Sequence, residues 1–275
     1  MSVYIETGFN GDEYDLTHPR TAHLRRGTSG GVVASSEASG FAATNAFDRR
    51  LDTAWRPTSA TGDWYVTFAS ARAVEYVGIA GHDLGTQNAT IRIQYTTDTG
   101  SNWTDFTGLD AIQPSDDSTI FCLVDPIQVD GYRVVIDAAD AAPTIATIAG
   151  GSVTEWPERA VWTGQPITES DQITFSNNSS DTGVLVGRTV ESDGLQFSVQ
   201  VDNLSETFRR VRFNTFKQYA NGEDAVFFIA TRPGDYPDEV AYAWATDVVR
   251  MTRERPNSTN SGSVTLNLRG YRQDL

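Results

Sequence analysis

Short apolar runs, punctuated by turn-forming residues, constrain this chain more than any other feature. "WYVTF", "VEYVGIAG", "ATIRIQYTT", "TIFCLV" and "GYRVVID" are followed by "QITFS", "VLVGRTV", "LQFSVQVDN", "AVFFIAT", "VAYAWAT" and "SVTLNLRGYR". They alternate or carry β-branched residues, and clusters of Gly, Asn, Asp and Pro separate them. Many short strands at such spacing fold as all-β sandwiches or barrels. Helical periodicity is scarce. The exception is "LSETFRRVRFNTFKQYANG", where Phe208, Val211, Phe216 and Tyr219 approximate one face. Ser205 and Glu206 can start that helix, and Asn221-Gly222 can end it.

Three parts are expected. Residues 1–30 lack a strand rhythm and read as an extended N-terminal arm. Residues 31–150 hold the first strand series. Residues 151–275 hold the second, with the helix, making a second β-rich domain. Charge narrows the partners: 36 acidic against 21 basic residues give a net charge of −15. Nucleic acid and anionic membranes are bound by neutralising phosphate with Lys and Arg, so no nucleic-acid partner is expected. No run approaches the roughly 18 apolar residues a membrane helix needs, so no membrane insertion is expected either. The opening "MSVYIETGFNGDEYD" lacks the basic and apolar regions of a secretory signal. Cys122, the one cysteine, sits in "TIFCLV" and reads as a buried strand thiol.

Catalytic signatures are missing. The three histidines make no metal-binding spacing, and there is no nucleophile elbow or phosphate loop. No enzyme activity is expected, although a carboxylate pair for polysaccharide hydrolysis is not decided by counting acids.

One stretch, "ASSEASGFAATNAFDRRLDTAWRPTSATGDWYVTF", carries more information than the rest. Together with "AVEYVGIAG" and "IRIQYTTDTGSNWTDF" it resembles the discoidin family, the coagulation-factor C-type or galactose-binding-like fold. The resemblance implies a jelly-roll β-sandwich that binds glycans or other surface ligands through loops at one end, without catalysis. It marks Asp48 and Thr53 as the loop that can hold a structural Ca2+. The last strand, "IATIAGG", offers Thr147 but no carboxylate, so a hydrogen-bonded turn is the competing reading. For a glycan the loop residues of suitable type are Arg56, His82 and Trp103, with Asp83 and Asn102 beside them. His82 could instead anchor a loop, and Trp103 could pack in the core; Arg56 is the strongest candidate. Trp55 and Trp64 are expected in the core.

A second resemblance covers the remainder. "DLTHPRTAHL" and the segment from "GVLVGRTVESDGLQFSV" to "SVTLNLRGY" are similar to bacteriophage tail-tip proteins, of the distal tail or baseplate type. This implies a structural virion protein at the phage tail tip, made in the host cytoplasm. Its partners would be other copies of itself, neighbouring tail proteins and a host-surface glycan. The alternative is a cellular carbohydrate-binding adhesin or the accessory module of a polysaccharide-degrading enzyme.

Overall fold

A computed structural model describes residues 2–11, 13–24, 29–161, 166–179, 181–223, 225–253 and 260–271. The N-terminal strands are β1 (Ser2–Ile5), β2 (Arg20–Leu24), β3 (Ser29–Ala34), β4 (Gly62–His82), β5 (Thr90–Thr96), β6 (Thr104–Asp105), β7 (Ile120–Ala138) and β8 (Ile145–Glu155). The C-terminal strands are β9 (Thr174–Ser179), β10 (Leu185–Ser192), β11 (Leu195–Ser205), β12 (Phe227–Ala230), β13 (Val240–Ala245), β14 (Met251–Arg253) and β15 (Asn260–Gly270). A helix, α1, runs over residues 206–220. The protein is therefore all-β with one long helix, as the strand rhythm implied. No helix among the described residues is long and apolar enough to cross a membrane.

β4 and β7 are long enough to serve two layers of a sandwich. Their pairing runs from Gly62↔Ile136 to Thr67↔Gly131, breaks, and resumes at Arg72↔Val129 before ending at Ile79↔Ile120. Such irregularities bend a strand pair and let it change sheets. The first half of β4 joins β3, the second half of β7, β5 and β6 in a first sheet. The second half of β4 joins β8 and the first half of β7 in a second sheet. Gly131 sits at the bend, where a Cβ would strike the Val66 carbonyl. Between the sheets lie Trp55, Trp64, Ile79, Ile93, Val134 and Ile148. The two buried indole N–H groups are satisfied, Trp55 by Ser36 O at 3.0 Å and Trp64 by Ala43 O at 2.8 Å. Cys122 is buried in β7, and burial pushes its thiol pKa up, so it is an inert core group.

In the C-terminal half, β11 pairs with β15, β15 with β13 and β13 with β12. Their core of Phe197, Leu204, Phe227 and Leu268 is capped by α1. Ser205 starts the helix as expected, its Oγ accepting from Phe208 N at 3.1 Å. The expected face is only partly right. Val211 is exposed, and Phe213 takes its place in the core beside Phe208 and Phe216. The cause is a π-helical turn over Arg209–Phe213, which makes the step from Phe208 to the next core residue, Phe213, five residues.

The expected arm is corrected most. Two described strands of this segment belong to the sheet and not to an extended appendage: β1 pairs in parallel with β7, and β2 lies inside the sheet. β2 pairs with β8 on one edge (Arg20↔Glu155 to Leu24↔Gly151) and with β12 on the other (Arg20↔Ala230 to His23↔Phe227). It joins the two halves into one 13-stranded sheet. Arg20, Thr21, Ala22 and His23 are all buried, which removes the in–out alternation that marks a strand in sequence. The boundary expected at 150/151 falls inside β8, which pairs with β4 before it and with β2 after it.

A shared core seals the junction. Phe228 stacks on Phe121 at 6.2 Å, meets Tyr76 at 5.9 Å and Tyr242 at 4.9 Å. Its ring lies over Gly78, where a Cβ would come within 2.6 Å of it. Gly78→Ala is expected to overpack this junction and cost about 1–3 kcal/mol. Urea unfolding followed by tryptophan fluorescence checks this, and adding Phe228→Ala should cost less than the sum of the single changes. A neutral Gly78→Ala would show that the halves do not depend on this contact.

Candidate ligand groove at one end of the sandwich

The first sheet has two ends. Gly62↔Ile136 and Thr90↔Ala138 lie at one, Thr67↔Gly131↔Thr96 at the other. At the first end, two loops are stitched together before β4 begins. Thr58 N donates to Ser36 Oγ at 3.1 Å, Ala38 N to Arg56 O at 2.8 Å, and Asp63 N to Ser35 Oγ at 2.9 Å. Beside them opens a shallow polar groove of about 500 Å3, lined in part by Ser35, Ser36, Thr58, Thr61, Asp63 and Asp137. Arg56 rises from the same loop with its guanidinium 5.9 Å from the Phe41 ring centre. Asp137 is held by Arg92 at 2.8 Å. Hydroxyls, two carboxylates and a guanidinium with an aromatic neighbour can bind a polyhydroxylated ligand. Nothing in the groove is arranged as a nucleophile with its base.

The three expected glycan residues do not converge. His82 shares the Arg56 end, since Ile145 pairs with both His82 and Trp55. Its ring, however, is buried. Nε2 bonds Ser118 O at 2.7 Å, and Nδ1 receives Leu84 N at 3.3 Å. Burial lowers its pKa to about 4, so the ring is a neutral loop anchor at neutral pH. Asp83 is likewise engaged, accepting from Thr144 N at 2.6 Å. Trp103 lies at the opposite end, between Tyr65 at 5.4 Å and the Arg133 guanidinium at 4.6 Å. Asn102 closes the preceding turn on Asp98.

Asp48 and Thr53 do come together. Thr53 Oγ1 donates to Asp48 Oδ2 at 2.7 Å, and Arg50 N to Oδ1 at 2.8 Å. Asp52 is paired with Arg50 instead. Calcium takes six to eight oxygens, carboxylates among them. Among the described residues no three His, Cys, Asp or Glu are grouped to hold a metal. In this geometry Asp48 and Thr53 form a hydrogen-bonded turn. The turn is also docked on the C-terminal half, with Arg49 O accepting from Tyr242 OH at 3.1 Å.

Sequence reasoning overlooked Asp63, Tyr65, Arg133 and Asp137. The signal was present: in "DWYVTF" and "GYRVVID" the buried Trp64, Val66, Tyr132, Val134 and Ile136 alternate with these four.

Residues 31–149 match the F5/8 type C domain family. The match ends within β8, and residues 150–275 lie outside it. No curated protein matches the chain. Among solved structures, a pectin-binding carbohydrate-binding module is similar at 20% identity and TM-score 0.40, over 48% of this chain and 93% of that one. A chitosan-binding module from a chitosanase/glucanase of Paenibacillus sp. IK-5 is similar at 18% identity and TM-score 0.41, over 48% and 99%. The family 32 module of C. perfringens NanJ, solved with galactose, is similar at 15% identity and TM-score 0.38, over 44% and 91%.

Asp48→Ala removes two turn hydrogen bonds and is expected to cost about 1–3 kcal/mol. Scanning calorimetry of the variant checks this; on wild type, neither calcium nor EDTA should move the melting temperature. A rise of several degrees with calcium would overturn the turn-only reading.

Proposed function

We propose that the discoidin-like half binds carbohydrate in the groove beside Arg56 without transforming it, and that the C-terminal half is its carrier. The observation that carries this is the polar groove, open at a loop end of a segment that matches the F5/8 type C domain family. A pyranose offers hydroxyls and apolar C–H patches; hydroxyl and carboxylate groups line the groove, and Arg56, over the Phe41 ring, belongs to the loop that also supplies Thr58 to it. This reading fits an adhesin or the accessory module of a polysaccharide-degrading enzyme. The full chain, wild type and Arg56→Ala, is to be applied to a glycan array. Arg56→Ala is expected to weaken the wild-type signal about tenfold, as loss of a charged hydrogen-bonding anchor does. Binding that survives unchanged would remove Arg56 from the site.

A second reading, an architectural subunit of a phage tail tip that also displays this domain, has one observation in its favour. β9 and β10 pair only with each other among the described strands, and Phe175, Leu185, Val186 and Val190 are exposed along them, with Val184 in the turn between. A two-stranded hairpin is marginal alone in water, so apolar side chains there suit burial against another copy or a neighbouring tail protein. In that setting the chain would be a virion component. Light scattering tests it: a wild-type oligomer that reverts to monomer with Val186→Asp is expected. A wild-type monomer that stays monomeric at high concentration, and is missing from purified particles, would remove this reading.

A further inference from the structure

The outward face of the first sheet carries more chemistry than a solvated strand surface needs. One row across it reads Val33, Tyr65, Arg133, Gln94 and Asp105, by the registers of β3, β4, β7, β5 and β6. Trp103 lies against this row, touching Tyr65 and Arg133. Its position is fixed. Arg133 Nε donates to Gln94 Oε1 at 2.7 Å, and Gln94 Nε2 to Asp105 Oδ1 at 2.7 Å. A Cβ on Gly100 would meet the Trp103 ring edge at 3.7 Å, an ordinary contact distance, so the turn before it runs alongside the indole. Tyr65 and Trp103 nevertheless stay partly exposed. Two large, partly exposed aromatics thus lie on the outer side of a sheet whose core is on the other side.

We propose that Tyr65, Trp103 and Arg133 form a second carbohydrate-contact surface, continuous with the loop groove, that takes an extended uncharged polysaccharide lying along the strands. Continuity follows from the register. Asp63 and Val135 line the groove, and two residues further along their strands on the same face, Tyr65 and Arg133 carry the row. Successive outward positions on a strand are about 6.6 Å apart, so groove and row together span several sugar rings. Aromatic rings take up the C–H patches of pyranoses, while Asp105 and Arg133, held in place by the buried Gln94 between them, offer an acceptor and donors for hydroxyls. The absence of ligand charge follows from electrostatics. Arg92 is paired with Asp137, the Arg133 charge is offset by the nearby Asp63 and Asp105 carboxylates, and the chain carries −15. A polyuronate would meet repulsion without an uncommitted cluster of cations.

The inference rests on carbohydrate binding by this half, and its test separates the two sites. Affinity electrophoresis of the full chain in gels containing galactomannan, xyloglucan or mixed-linkage β-glucan, with polygalacturonate as the charged control, is the measurement. Wild type should be retarded by at least one neutral polymer and not by polygalacturonate. Tyr65→Ala and Trp103→Ala should each raise the apparent Kd about tenfold; Trp103→Phe should restore most of the retardation, and near-UV circular dichroism establishes that each variant is folded. Retardation lost with Arg56→Ala but unchanged in a folded Tyr65→Ala/Trp103→Ala variant would overturn the second surface and leave the groove standing. Retardation by none of the neutral polymers, or a self-association abolished by the double variant, would also overturn it, the latter making this face a protein contact.

Discussion

The hydrogen bonds that β2 makes along both of its edges are the constraint on which the rest of the structure depends. A strand inside a sheet must satisfy donors and acceptors on two sides, and β2 does so with β8 and β12, one from each half. Its faces are equally committed. Thr21 Oγ1 accepts from Trp156 Nε1 at 3.1 Å, and His23 packs on Tyr219 of the helix at 5.5 Å. On the other side Ala22 joins the aromatic junction around Phe228. Arg20, fully buried, donates to Tyr14 O at 2.6 Å and to the carbonyls of Asp15, His18 and Pro19, so its charge organises the turn leading into the strand.

This arrangement decides which surfaces of the sandwich remain available. The second sheet, with Tyr76, Ala80, Phe121 and Ala149, is covered by the C-terminal half. The Asp48 turn touches that half through Arg49 O and Leu51, while Asp48 and Arg50 themselves stay exposed. What stays open is the first sheet's outer face and the loops at its Arg56 end. The groove and the aromatic row both lie there, as a ligand surface must.

Much of this was legible in the sequence. Turn-forming clusters punctuate nearly every strand, and the Trp55 and Trp64 core positions follow from the pattern around them. The illegible parts share a physical cause: alternation reports one buried face, and it fails where both are buried. β2 is such a case, and so are Arg20 and His82, polar residues held by carbonyls supplied from distant segments. The helix failed differently. Its existence was plain, but a π turn is set by packing against Trp156, and no local pattern of Phe and Val announces it. Of the residues proposed to contact carbohydrate, Arg56 is the one the sequence offered, from its loop. Tyr65 and Arg133 needed the alternation to be read outward as well as inward.

The bridging strand also bears on how the protein acquires its shape. β2 is synthesised before both of its partners: Thr154, opposite Thr21 in β8, lies 133 residues downstream, and β12 follows later still. Pairings this remote in sequence close late, because the chain entropy of the intervening loop is lost before any contact forms. The sandwich can assemble around Trp55 and Trp64 while the second sheet's outer side, with Tyr76 and Phe121, remains bare. Until Phe228 arrives, a nascent chain exposes an apolar face and an unpaired strand edge together. Those are the two features that recruit chaperones or promote misassociation, so this protein's most vulnerable moment falls during its own synthesis.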